Sequence, residues 1–222
     1  MYETVQDEEG AYIKLYDLCS KVNTHNIFGR MSKIILPYLL AIHPFRRSIF
    51  LVSLPLDHSL GGFAKDLAAW AAEYTSKSNL KLQIMASTHS SALMAADSLT
   101  EAGCGSITHH AALLPSDTNH ETPRGFTDRP QDGESSADLV KRLEGSILEI
   151  EASMQPVLVV AHQAPCRALR TYFMNLDVSE HMRPNSSEGA ASLSNNSRSV
   201  LELEMSESQV AFIERVLTLP TV

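Results

Sequence analysis

The sequence predicts an α/β domain of three layers, a mostly parallel sheet with helices on both faces. Three observations lead there. Short β-branched runs alternate with longer segments of helical period. Two of the runs, IFLVS and PVLVVA, read as near-continuously apolar, as strands buried on both faces do. A chain of 222 residues that is 44% hydrophobic can also fill a core of that size.

Taken in order, the expected strands are residues 12–16, 48–53, 81–86, a weak 106–108, 156–161, 200–205 and 210–217. A helix over 26–42 runs into His43-Pro44, where proline disfavours a helical residue before it. Phe63, Leu67, Trp70 and Tyr74 fall at i, i+4, i+7 and i+11, and Leu139, Leu143, Ile147 and Ile150 repeat an apolar stripe, so both segments are core-facing helices. Ser135 or Ser136 can cap the second of these, with Asp138 in its first turn facing the positive end of the helix dipole. Residues 115–133 and 185–198 are polar and irregular and read as surface loops, the second partly disordered because it can bury too little apolar area. The acidic stretch 3–9 reads as a frayed leader.

Charge and cysteine usage narrow the function class. The balance of 18 Lys+Arg against 26 Asp+Glu leaves a net charge of -8, opposite in sign to what nucleic acid or an anionic membrane attracts, so neither is an expected partner. The longest greasy stretch, 34–42, is about half a bilayer crossing and contains Pro37. Cys19, Cys104 and Cys166 are odd in number, widely spaced and without a CxxC pair, which fits a reducing, cytoplasmic location.

The sharpest local signal is VLVVAHQAPCR, residues 157–167: a buried strand delivers His162 at its carboxyl end, just where a helix begins. Ligands bind at that edge of open α/β sheets, and the N–H groups of the helix start, beside His162 and Arg167, would suit a phosphate. The residues alone leave a structural histidine and a functional one equally open.

Resemblance decides between them. YIKLYDLCSKVNTHNIFGRMSKIILPYLLAIHPFRRSIFL (12–51), DGESSADLVKRLEGSILEIE (132–151) and PVLVVAHQAPCRALRTYFMNL (156–176) together resemble the 6-phosphofructo-2-kinase/fructose-2,6-bisphosphatase family, from the last kinase strand through the bisphosphatase half. The resemblance implies a phosphoglycerate mutase-like, histidine phosphatase fold with shortened loops, in which residues 1–47 end the kinase-like region and its linking helix and 48–222 form the bisphosphatase-like domain. It implies His162 as the remnant second catalytic histidine, and Gln163, Arg167 and Glu134 as substrate-binding residues. No cofactor and no metal are implied.

The same resemblance exposes departures. The family's nucleophilic histidine, which takes the phosphoryl group covalently, aligns with Leu54, and its phosphate-binding arginine with Ser53. Ser91 stands where a second arginine belongs, Pro115 where the general acid belongs, and the substrate loop after it is shortened. Removing a single preorganised donor typically costs about a hundred- to a thousandfold in rate, so these combined losses imply no turnover. The expectation is a pseudophosphatase serving as a structural or regulatory module in fructose 2,6-bisphosphate metabolism and glycolysis regulation. It would bind phosphate or a sugar phosphate weakly and could accompany a kinase-domain subunit. The alternatives are a residual sugar-phosphate phosphatase using His58, four residues past the lost histidine, or part of an ATP-dependent 6-phosphofructo-2-kinase whose catalytic domain is elsewhere. No G-x-x-x-x-G-K-[ST] occurs here to bind ATP.

Two further groups carry less. His109, His110, Asp117 and His120 match no metal-ligand spacing and read as loop residues. Cys166 sits near a helix start and Arg167, which favours a thiolate, although a buried packing role is the simpler reading.

Overall fold

The computed structural model describes residues 48–55, 60, 62–116, 125–129, 133–177, 181, 193, 198–205 and 212–219. The strand expected at 12–16, the helix at 26–42 and the proposed boundary at residue 47 lie outside them. Among the described residues, six strands and four α-helices follow in order: β1 (Ser48–Leu54), α1 (Phe63–Ser78), β2 (Leu82–Ser87), α2 (Ser90–Glu101), β3 (Gly105–His110), α3 (Ser136–Ala152), β4 (Val157–His162), α4 (Gln163–Phe173), β5 (Ser199–Met205) and β6 (Phe212–Thr218). A 3₁₀ turn, Ala111–Leu113, follows β3.

The strands form one sheet in the order β3-β2-β4-β1-β5-β6. The first four are parallel, and β5 and β6 add an antiparallel hairpin beside β1. The two most apolar runs are neighbours at the centre, with Ile49 opposite Val157 and Leu54 opposite His162.

Alternation along these strands divides the core. Ile49, Leu51, Val157, Val159 and Ala161 join Leu139, Leu143, Ile147, Cys166 and Leu169 on the α3/α4 face. Phe50, Val52, Leu54, Leu158 and Val160 join Leu67, Trp70, Ala92, Ala95 and Leu99 on the α1/α2 face. Phe50 meets Trp70 and Tyr74 edge-on, at centroid separations of 5.0 and 4.9 Å, which suits aromatic quadrupoles. Both helical stripes read from the sequence therefore face the sheet.

Ends and edges are fixed by side chains. Ser135 caps α3 in a reciprocal box with Asp138, which also takes both prongs of Arg129. These bonds hold the Asp138 carboxyl below the usual carboxylate range, the Arg129 contribution being the largest. Asn79 ends α1 in the left-handed conformation, which asparagine tolerates better than most residues. Arg198, leading into β5, pairs with buried Asp66 of α1, and Arg170 of α4 grips Glu214 of β6 at 2.9 and 2.7 Å. The hairpin is thereby tied to helices on both faces.

Three expectations need correction. β3 runs longer than 106–108, because its ladder to β2 continues through His109 opposite Ala86 and His110 opposite Ser87. Those two histidines are thus strand residues, not loop residues. Leu193, within the stretch read as a surface loop, is buried in the α3/α4 core, since a single large apolar side chain can anchor a polar segment. Phe126 in the other expected loop packs partly against the same core.

Gly105 lies where β3 leaves α2 close against β2: an added Cβ would stand 1.8 Å from the Leu82 carbonyl oxygen. Backbone, not a side-chain tip, blocks the space. Gly105→Ala should lower unfolding stability by about 3 kcal/mol or more, read as a reduced urea midpoint at unchanged slope.

Candidate functional site

The topology makes the carboxyl edge of β4 a point where the chain connections diverge. From β4 the chain turns into α4 on one face, whereas α1 and α2, which follow β1 and β2 on either side of it, cover the other. Diverging connections of this kind leave room for a ligand at the strand ends. His162 is the last residue of β4 and the N-terminal boundary of α4. The two-residue period of the strand turns its side chain the way of Leu158 and Val160, towards α2.

There it meets two residues of the β2–α2 junction. His162 Nε2 lies 3.1 Å from Ser91 Oγ, and Ser91 Oγ lies 2.9 Å from His89 Nδ1. His89 is the N-cap of α2, accepting the Ser91 backbone N–H at 3.4 Å. The two imidazoles pack edge to face with centroids 4.5 Å apart. His162 is 2% exposed and Ser91 fully buried. Nδ1 of His162 has no hydrogen-bond partner among the described residues. Burial above all, with His89 second, pushes the His162 pKa down to about 4, so the ring is neutral at pH 7.

The other residues of the expected site are placed as follows. Gln163 opens α4 and is half-exposed. Arg167 is buried in the second turn of α4, and burial lowers its pKa, although a guanidinium keeps its charge. Leu54 is wholly buried as the register partner of His162, and Ser53 precedes it, 4% exposed. Glu134 is engaged elsewhere: Arg142 of α3 holds both of its oxygens and also donates to the carbonyls of Ala112 and Leu114 at 2.6 and 3.1 Å. Arg142 thereby fastens α3 to the turn after β3, with the Glu134 carboxylate holding its guanidinium.

Cys166 is ruled out as a reactive thiol. Its Sγ lies 3.4 Å from the Val52 carbonyl in the core, and burial pushes its pKa up to about 12. His110 Nε2 is 2.9 Å from Thr108 Oγ1 and 3.6 Å from Glu149, and Asp117 and His120 lie outside the described residues. Among the described residues no three His, Cys, Asp or Glu side chains gather as metal ligands. None of the described helices is long and apolar enough to cross a membrane.

Sequence reading missed His89 and Arg142. The first had a signal: THSS directly before an amphipathic run is a helix start, and the cap residue falls beside the strand end. Arg142 had none, because its partners lie in segments distant in sequence.

Fold and corner together define a mixed α/β sheet with a buried histidine at the carboxyl end of a central strand. Residues 67–212 match the histidine phosphatase superfamily (branch 1), and the chain belongs to that superfamily. It is similar to 6-phosphofructo-2-kinase/fructose-2,6-bisphosphatase of Arabidopsis thaliana, with 29% identity over 81% of this chain and 28% of that protein. It is similar also to 6-phosphofructo-2-kinase/fructose-2,6-bisphosphatase 4 of Homo sapiens, with 30% identity over 76% and 42%. The chain thus spans less than half the length of these relatives. Among solved structures, a mycobacterial glucosyl-3-phosphoglycerate phosphatase aligns with TM-score 0.51 and 18% identity over 77% of this chain and 96% of that one. The alpha-ribazole phosphatase of Shigella flexneri aligns with TM-score 0.52 and 13% identity over 79% and 99%. At such identities they establish the fold alone.

The neutral His162 has a consequence for stability. In the unfolded chain an imidazole gains its proton near pH 6.5, whereas in the fold it does so only near 4. Between those values the unfolded state binds more protons, so stability falls as pH drops through the window and levels off below it. Wild type should lose roughly 3 kcal/mol relative to His162→Gln between pH 7 and 4. Urea midpoints of both proteins at the two pH values measure it; an equal difference at both would show an ordinary histidine.

Proposed function

We propose that this chain is a catalytically silent member of the superfamily, a bisphosphatase-like module related to the 6-phosphofructo-2-kinase/fructose-2,6-bisphosphatase proteins. One observation carries the reading: Leu54, which has no lone pair to attack phosphorus, occupies the β1 position in register with His162. The rest of the corner supports it. Ser91 takes up His162 Nε2, and Ser53 and Ser91 bring no charge where the resemblance leads one to expect arginines. Residues 48–222 would constitute the phosphatase-like unit, and 1–47 the end of a kinase-like region. Its place is the cytoplasm, in fructose 2,6-bisphosphate metabolism, with a kinase-domain subunit as the protein partner.

The remnant corner would still bind small anions beside His162, through Gln163, Arg167 and the backbone N–H groups at the start of α4. Arg167 supplies its only strong charge on this reading, against a chain of net charge -8, so a phosphate dissociation constant of about 1 mM, or about −4 kcal/mol, is expected.

Two experiments test this. Purified protein given fructose 2,6-bisphosphate should release no phosphate above a His162→Ala control and form no acid-labile phosphohistidine. Release that vanishes in His58→Ala would instead establish the residual phosphatase. In a phosphate titration at matched ionic strength, amide shifts near His162 should move at millimolar ligand and move less in Arg167→Ala. A spectrum indifferent to tens of millimolar phosphate would make the corner purely structural.

A further inference from the structure

We infer that His89 and Ser91 form a positioning pair that fixes the tautomer of His162, with the proton on Nε2 and the lone pair on Nδ1. The direction is set by the helix cap. His89 Nδ1 accepts the backbone N–H of Ser91, so that nitrogen carries no proton. Ser91 Oγ lies 2.9 Å from the same nitrogen, and between a bare nitrogen and a hydroxyl only the hydroxyl can donate. With its single hydrogen spent on His89, Ser91 Oγ can only accept from the nitrogen on its other side, His162 Nε2 at 3.1 Å. The chain of bonds therefore runs His162 Nε2–H to Ser91 O–H to His89 Nδ1.

The opposite tautomer fits the surroundings worse on two counts. Nε2 and the His89 nitrogen would then compete for one hydroxyl hydrogen. The proton on Nδ1 would sit buried where no described residue accepts it.

The consequence is chemical. An imidazole attacks phosphorus through a lone pair, and the lone pair of His162 is confined to Nδ1, which is buried. The nitrogen that faces the serine is occupied by a proton already donated. Neither nitrogen is available as a nucleophile while the cap of α2 is in place. The pair thus does more than fill the corner: a local backbone requirement, capping α2, is transmitted through one hydroxyl to the state of a histidine on another element. This inference concerns protonation in the ligand-free protein and stands whether or not the corner binds phosphate.

Long-range ¹H–¹⁵N correlation spectra of histidine-labelled full chain at pH 7 read the tautomer directly. Wild type should show a protonated-type shift at His162 Nε2 and an unprotonated-type shift at Nδ1. Ser91→Ala removes the link, and His89→Ala removes the acceptor that orients it; in each, the single Nε2–H pattern should give way to mixed or Nδ1–H signals. In His89→Asn the amide oxygen can cap the helix in place of the imidazole and should keep the wild-type pattern. A wild-type proton on Nδ1 overturns the inference without any variant. An unchanged pattern in Ser91→Ala or in His89→Ala overturns it as well, because the direction would then arise elsewhere.

Discussion

Parallel pairing of Ser48–Leu54 with Val157–His162 is the contact from which the remaining structure takes its position. Each strand is buried on both faces, so alternate residues contribute to two separate cores, and neither core closes unless the register is right. A slip of one residue would turn Leu54 and His162 towards α3 and α4 and bring Ser53 and Ala161 to α2. The same register that seals the cores therefore sets His162 against Ser91. Stability and site geometry are here one constraint, and a variant that loosens this ladder would alter both together.

Around that pair the chain relies on polar clasps to hold its less apolar elements. Arg142, paired with Glu134, joins α3 to the carbonyls of the turn after β3, Arg170 joins α4 to β6, and Arg198 joins the approach of β5 to α1. All three involve part-buried groups, where an ion pair is screened less than at the surface and loss of one partner leaves a charge without compensation. They resemble one another in function: each connects an element outside the β1–β4 pair to a helix that packs on the central strands.

How far the sequence reaches follows from the same physics. The central strands and the α1 and α3 stripes were legible because burial on both faces and helical period leave direct patterns, and Ser135 with Asp138 announced the start of α3. β3 was underestimated because its outer positions are exposed and carry Thr and His, whose part in the ladder depends on β2 beside them. Leu193 was missed because one apolar residue in a polar run has no period. At the candidate site, the position of His162 at a strand end could be read from VLVVAH, and its facing side follows from alternation. Its partners could not, since Ser91 lies 71 residues away and reaches it only through the β2–β4 pairing.

On the proposed reading, in which Leu54, Ser53 and Ser91 stand in place of a histidine and two arginines, the departures form a connected set. A leucine beside His162 removes water from the imidazole and favours its neutral form. A neutral buried imidazole needs a neutral hydrogen-bond partner, and the hydroxyl of Ser91 is of the right size and charge where an arginine would have repelled any proton on the ring. With serine rather than a guanidinium at position 91, His89 and His162 approach edge-on, their centroids 4.5 Å apart. Each substitution makes the next less costly, and restoring one alone would be unfavourable: an arginine returned at position 91 would enter a fully buried site lined by two imidazoles, and a histidine at 54 would displace a core side chain. On the proposed reading the α2 side of the corner has become a packed, hydrogen-bonded strand end that leaves only weak anion affinity beside α4, and reversal requires several changes at once.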